Sequence, residues 1–265
     1  MRNFVASMPP TRLFHHAKDP IGAMRLEADQ GRATRRSEPG SGARGCRVLI
    51  TGFGPFPGVP FNPTAQLAAE LAAVRRPGLE RVVRIAHVFE TSYAAVDRAL
   101  PALLAEVRPD IILLFGLATR TPYVRIETQA LNRRSALFAD VRGCHPTNVA
   151  ITPHAPIAVR SNAPHQRLAI AARQARVPAR LSRNAGAYLC NYVYWRALEL
   201  TGAEPLVQFV HVPAVRCAPC GIGPRRSMTL DDLTRAGARL LMVLVAAARH
   251  RAAQGERGVA CGSAT

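Results

Sequence analysis

A thiol, an imidazole and a carboxylate stand at three positions of this 265-residue sequence where they could act together. Cys190 follows the turn Asn184-Ala185-Gly186 and opens a helical segment, Leu189 to Leu200. A thiol there feels the positive end of the helix dipole, which should lower its pKa and favour the nucleophilic thiolate. His211 ends the apolar run Leu206 to Val212, which Pro213 breaks. Glu127 lies inside a strand pattern with Val124, Ile126 and Leu131, where an unpaired carboxylate would be costly. A thiol, a base to take its proton and an acid to orient the base make up the chemistry of thiol acyl transfer. Each residue also has a plainer reading. A cysteine among apolar helix neighbours is commonly a core residue, His211 between valines fits a hydrogen-bonded core histidine, and Glu127 fits an ion pair with a nearby arginine. Spacing alone does not choose between the two readings.

The elements that would hold these groups alternate. Val48 to Thr51 reads as a buried strand leading into a Gly/Pro loop, Gly52 to Pro63, and Thr64 to Val74 as a helix. Arg81 to Phe89 follows as a strand, and Ser92 to Val107 as a helix with a serine cap. Ile111 to Leu114 is the most apolar strand and is expected at the sheet centre, with Val124 to Leu131 as another extended stretch. A Pro/His-rich loop, Cys144 to Pro164, precedes a helix at Gln166 to Arg176 and a short strand ending at Arg183. The strand Leu206 to Val212 and a long helix, Thr229 to Arg251, complete the pattern. Strands alternating with helices predict a single-domain α/β/α sandwich with a largely parallel central sheet. In such sheets the working residues gather at the carboxyl ends of strands, where Cys190, His211 and Glu127 are expected.

Composition bounds the rest. The chain carries 35 Lys+Arg against 17 Asp+Glu, a net charge of +18, but Lys18 is its only lysine. Arg pairs are scattered and aromatics make up only 6%, a pattern unlike the concentrated basic face of a specific nucleic-acid binder. The longest apolar run, Leu240 to Ala248, falls short of the roughly 20 residues a spanning helix needs. Six irregularly placed cysteines and no apolar signal stretch at Met1 to Pro10 predict a soluble, cytoplasmic protein with free thiols. Residues 1–45 read as a flexible extension, 46–253 as one α/β domain and 254–265 as a flexible tail.

Several separate segments resemble one family. Val48-Leu-Ile-Thr-Gly-Phe-Gly-Pro-Phe-Pro-Gly58, with Asn62-Pro63-Thr64 after it, resembles the opening of the pyroglutamyl peptidase I family of cysteine peptidases. Ser182-Arg-Asn-Ala-Gly-Ala-Tyr-Leu-Cys190 is similar to its nucleophile motif, and Phe209-Val-His211-Val-Pro213 to its histidine motif. Gly116-Leu-Ala118, Arg125-Ile-Glu127, Ala130 and Asn132 resemble its glutamate region. The order of Glu, Cys and His is the family's order. The resemblance implies a cofactor-free, metal-free exopeptidase that removes an amino-terminal pyroglutamyl residue from peptides. It makes Cys190 the nucleophile, His211 the base and Glu127 its orienting acid, with Phe53, Phe56 and Asn62 around the neutral lactam. Dimers or tetramers are common among such relatives, so a homo-oligomer is implied as well.

Two departures accompany the resemblance. Relatives usually carry a Gly-Arg pair where this chain has Arg120-Thr121, and an arginine ten residues after the glutamate, where it has Leu137. Removing one donor to a reacting oxygen costs on the order of a hundredfold in rate. The alternative reading is therefore a catalytically impaired or non-catalytic relative, unless Arg133 or Arg134 substitutes. Cys217-Ala-Pro-Cys220 reads as an oxidation-prone pair in preference to half of a zinc site, for which only Cys144 and His145 offer partners.

Overall fold

The computed structural model describes residues 45–56, 58–215 and 228–262, with side chains to residue 254. In chain order the elements are β1 (Arg47–Phe53), α1 (Pro63–Ala73), β2 (Val83–Phe89), α2 (Tyr93–Val107), β3 (Ile111–Leu117), β4 (Val124–Glu127), β5 (Gln129–Leu131), β6 (Ala158–Arg160), α3 (His165–Gln174), β7 (Ala179–Ser182), α4 (Leu189–Thr201), β8 (Leu206–Val212) and α5 (Leu230–Gly262). Ile111 to Phe115 is apolar on both faces, and only a strand covered on both sides can bury it. β3 accordingly lies inside a six-stranded sheet of order β2-β1-β3-β8-β4-β7. β2, β1, β3 and β8 run parallel, while β4 meets β8 antiparallel and pairs with β7 in parallel.

Alternate residues of these strands face opposite layers. Val48, Ile50, Leu113 and Val210 pack with Leu67 and Leu71 of α1, Leu168 of α3 and Leu240 and Leu244 of α5. Leu49, Leu114 and Phe209 pack with Val96 and Leu100 of α2 and Val193 and Trp195 of α4. The result is the expected three-layer arrangement with a mostly parallel sheet. Among the described residues, no helix is long and apolar enough to cross a membrane.

Four local expectations are corrected. The stretch Val124 to Leu131 is two strands, because Thr128 turns the chain out of the main sheet and into a separate pairing of β5 with β6. Thr128 spends its N–H and hydroxyl on the Ser182 carbonyl (2.7 and 3.0 Å). β6 itself lies within the region read as loop, where three strand residues between prolines and histidines give no alternation to detect. Ser92 occupies the N-cap position of α2 but makes no side-chain cap. Asp140 does so from a distant loop, accepting from Tyr93 N (3.0 Å) and from the N–H groups of Arg142 and Cys144. Finally, α5 continues past Arg251 to Gly262, although Gly255, Gly258 and Gly262 are poor helix formers and give no sequence signal for it. The proposed extension up to residue 44 and the Cys217/Cys220 pair lie outside the described residues.

The junction of β1 and α1 is a tight backbone contact. A Cβ on Gly52 would stand 2.2 Å from the Thr64 carbonyl oxygen in the first turn of α1. Phe53 N donates to Thr64 Oγ1 at 3.0 Å, so the helix cannot withdraw without losing that bond. Gly52→Ala should therefore lower stability by about 3 kcal/mol, read as an earlier urea midpoint. An unchanged midpoint would contradict this packing.

Candidate active site

β8 delivers His211 from its carboxyl end, and its neighbours on both sides are fixed by register. Gly116 of β3 stands beside it in parallel, and Arg125 of β4 stands opposite it in the antiparallel pair. Glu127, two residues on, lies opposite Phe209. Paired residues share a face of the sheet, so Gly116, Phe209, His211, Arg125 and Glu127 are all on the α2/α4 side.

Here the carboxylate and imidazole meet. Glu127 is completely buried and its Oε1 lies 2.8 Å from His211 Nδ1. The Glu127 backbone is anchored separately, its carbonyl accepting from Tyr194 Oη and Gln208 Nε2 (3.0 Å each). Cys190 is the second residue of α4. Its sulfur lies against Gly116: a Cβ built there would be 2.7 Å from Cys190 Sγ. The thiol thus sits over the strand position adjoining His211. The start of α4 is held by Asn191, which accepts from Leu131 N (2.9 Å) and donates to the carbonyls of Leu131 and Arg133 (2.7 and 2.9 Å). Before it, Gly186 takes a positive φ of 90°, a conformation natural to glycine, and its N–H is held by Asn184 Oδ1 at 3.0 Å.

Arg125 completes the cluster. Its Nε lies 3.1 Å from Glu127 Oε1 and its Nη2 2.9 Å from His211 Nδ1. In the sequence Arg125 stands out only as part of the Arg125-Ile-Glu127 motif. The detectable signal was its position two residues from a strand carboxylate, which puts both on one face.

Electrostatics set the resting protonation. Burial pushes Cys190 up to about 12, the nearby Glu127 carboxylate adds to this, and Arg125 opposes it. The expected lowering by the helix end is thus overridden. Burial lowers His211 and Arg125 lowers it further, and the hydrogen bond and charge of Glu127 do not fully compensate. Burial by itself would raise Glu127, but His211, then Ser182 and Arg125, bring it below its ordinary value. The resting site therefore holds a neutral thiol, a neutral imidazole and a carboxylate.

The model of the family described as pyroglutamyl peptidase matches residues 46–243. The chain belongs to that family. The pyrrolidone-carboxylate peptidase of Thermococcus onnurineus is 33% identical over 198 residues, covering 72% of this chain and 94% of that one. Among solved structures, pyrrolidone carboxyl peptidase from Thermus thermophilus is 30% identical with a TM-score of 0.67, covering 74% of this chain and 100% of that chain. Pyroglutamyl peptidase I from Bacillus amyloliquefaciens, at 25% identity and TM-score 0.66, covers 76% and 97% respectively.

Against this family background, the remaining candidate residues fall into place unevenly. Phe53 is buried in the same apolar cluster that Cys190 packs against, its ring 5.9 Å from Phe89. Phe56 is half-buried and closes a tight bridge with Val59. Asn62 caps α1: its Oδ1 accepts from Thr64 N and Oγ1 (3.2 and 2.8 Å), and its Nδ2 donates to Gly54 O (3.1 Å). Those bonds shape the loop from within. Leu137 is 83% exposed. Arg133 reaches Asn184 Oδ1 at 3.4 Å, whereas Arg134 donates to Asn148 O and lies over the Tyr192 ring. Of the arginines considered, Arg125 is the one in contact with Glu127 and His211.

Proposed function

We propose that this chain is a cysteine exopeptidase that hydrolyses the amide bond following an amino-terminal pyroglutamyl residue. The observation that carries the reading is the buried 2.8 Å contact of His211 Nδ1 with Glu127, beside the strand position on which Cys190 Sγ rests. Family membership and the relatives' names support the substrate class.

With Nδ1 engaged by Glu127, Nε2 is the nitrogen left to accept the Cys190 proton. The sulfur attacks the carbonyl carbon that joins pyroglutamate to the next residue. The resulting imidazolium, stabilised by Glu127, gives its proton to the leaving amine as the C–N bond breaks. Water then adds to the thioester, passing a proton to His211, and the thiolate leaves and is reprotonated. Because the resting thiol is neutral, His211 must take its proton for the sulfur to act as a nucleophile. Phe53 and Phe56 would line the slot for an uncharged lactam, and Asn62 would hold its loop in shape.

The test is release from a pyroglutamyl fluorogenic amide, beside a Cys190→Ala variant and a prolyl amide control. Signal from the unmodified chain alone, and from the lactam alone, is expected. Leu137 and the raised thiol favour the competing reading, a relative that no longer turns over; no release by the unmodified chain would support it.

A further inference from the structure

The cation in contact with this site comes from an unexpected place. Leu137, where the resemblance leads one to expect an arginine, is exposed. Arg125 instead enters from β4, with its side chain 24% exposed, and touches both Glu127 and His211. Hydrogen-bond roles follow from chemistry. A carboxylate only accepts, so Nδ1, 2.8 Å from Oε1, carries the ring proton. A guanidinium only donates, so Arg125 Nη2, 2.9 Å from that N–H, makes no hydrogen bond to it. What it brings to the ring is a fixed positive charge.

We propose that Arg125 is a positioning residue of the catalytic site: ion-paired with Glu127 Oε1, it shares the carboxylate with His211 and holds the imidazole as the neutral base awaiting the Cys190 proton. The proposal rests on the peptidase reading above. The other groups around the ring are Glu127 on β4, Cys190 and Tyr194 on α4, and the Ser182 hydroxyl on β7 beside Glu127. Gly116 on β3 and Phe209 on β8, which face the ring, carry no charge.

A like charge at this range disfavours the protonated ring by about one pH unit or more. Without Arg125, the carboxylate serves His211 alone and the ring protonates more readily. At mildly acidic pH the site would then hold an imidazolium that cannot accept the thiol proton. The acid limb of kcat/KM should move to higher pH, with KM little altered.

His211 can be titrated by ring NMR in the full chain, assigned with a His211→Gln variant and independent of turnover. Arg125→Met, which keeps the stem and loses the charge, should raise the His211 midpoint by about one pH unit. Arg125→Lys should leave it near the unmodified value, and Arg125→Gln serves if the methionine variant does not fold. A His211 midpoint unchanged by loss of the charge overturns the proposal, as does an acid limb that moves without it. A shifted midpoint in a chain that never cleaves the lactam leaves Arg125's hold on the ring intact and defeats the peptidase reading instead.

Discussion

Gly116→Ala should cost about a hundredfold in kcat/KM, the scale expected when a reacting group is displaced by about 1 Å. The added methyl carbon would stand 2.7 Å from Cys190 Sγ and 2.6 Å from Phe209 Cζ, so one or both must shift. Phe209 is wholly buried between Tyr194 and His211, with ring centroids at 5.6 and 4.8 Å. Pushing it aside presses on the imidazole, whereas pushing the sulfur aside moves the nucleophile. The cost falls on the site more than on the fold, because Gly116 lies near the end of β3 and its strand partners remain. The measurements are steady-state kinetics on a pyroglutamyl amide and the rate of Cys190 alkylation, with circular dichroism to check folding. An alanine variant with unchanged turnover and unchanged alkylation would mean that the thiol does not work from above β3.

The sequence made the layers legible because continuous apolar runs such as Ile111 to Phe115 have few ways to be buried. It was far less informative about direction. The meeting of Glu127 with His211 depends on β4, with β7 beyond it, running antiparallel to β8 and the three strands parallel to it. No local pattern encodes that reversal. The split at Thr128 was invisible for a related reason: threonine is a good strand residue, and only its bonds to Ser182 show the chain changing sheets. The thiol was misjudged in magnitude. A helix end contributes about 0.3–1 kcal/mol at exposed sites, while desolvation by burial can shift a titration by more than one unit, each worth about 1.4 kcal/mol. At Cys190 burial wins. Arg125 was legible in principle, since residues two apart on a strand share a face. Its partner across the sheet was not.

Glu127→Gln should reduce kcat by about 10³–10⁴-fold with little change in KM, the scale seen when the acid that orients a catalytic histidine loses its charge. The reason is specific to this geometry. Oε1 is the counter-charge for the imidazolium that forms when Cys190 gives up its proton, and it also neutralises Arg125 at 3.1 Å. In the glutamine variant the guanidinium stays, now unopposed, 2.9 Å from Nδ1. The intermediate then places two positive groups side by side in a largely buried site with little water to screen them. The neutral amide can also donate to Nδ1 through its NH₂ group, which would stabilise the wrong tautomer. Loss of the strand does not explain such a fall, because the Glu127 carbonyl keeps its bonds from Tyr194 and Gln208. Pairing the change with Arg125→Met separates the two charges: removing the cation from the glutamine variant should restore part of kcat, since it relieves the repulsion. A glutamine variant within tenfold of the unmodified chain would mean that His211 works without its buried acid.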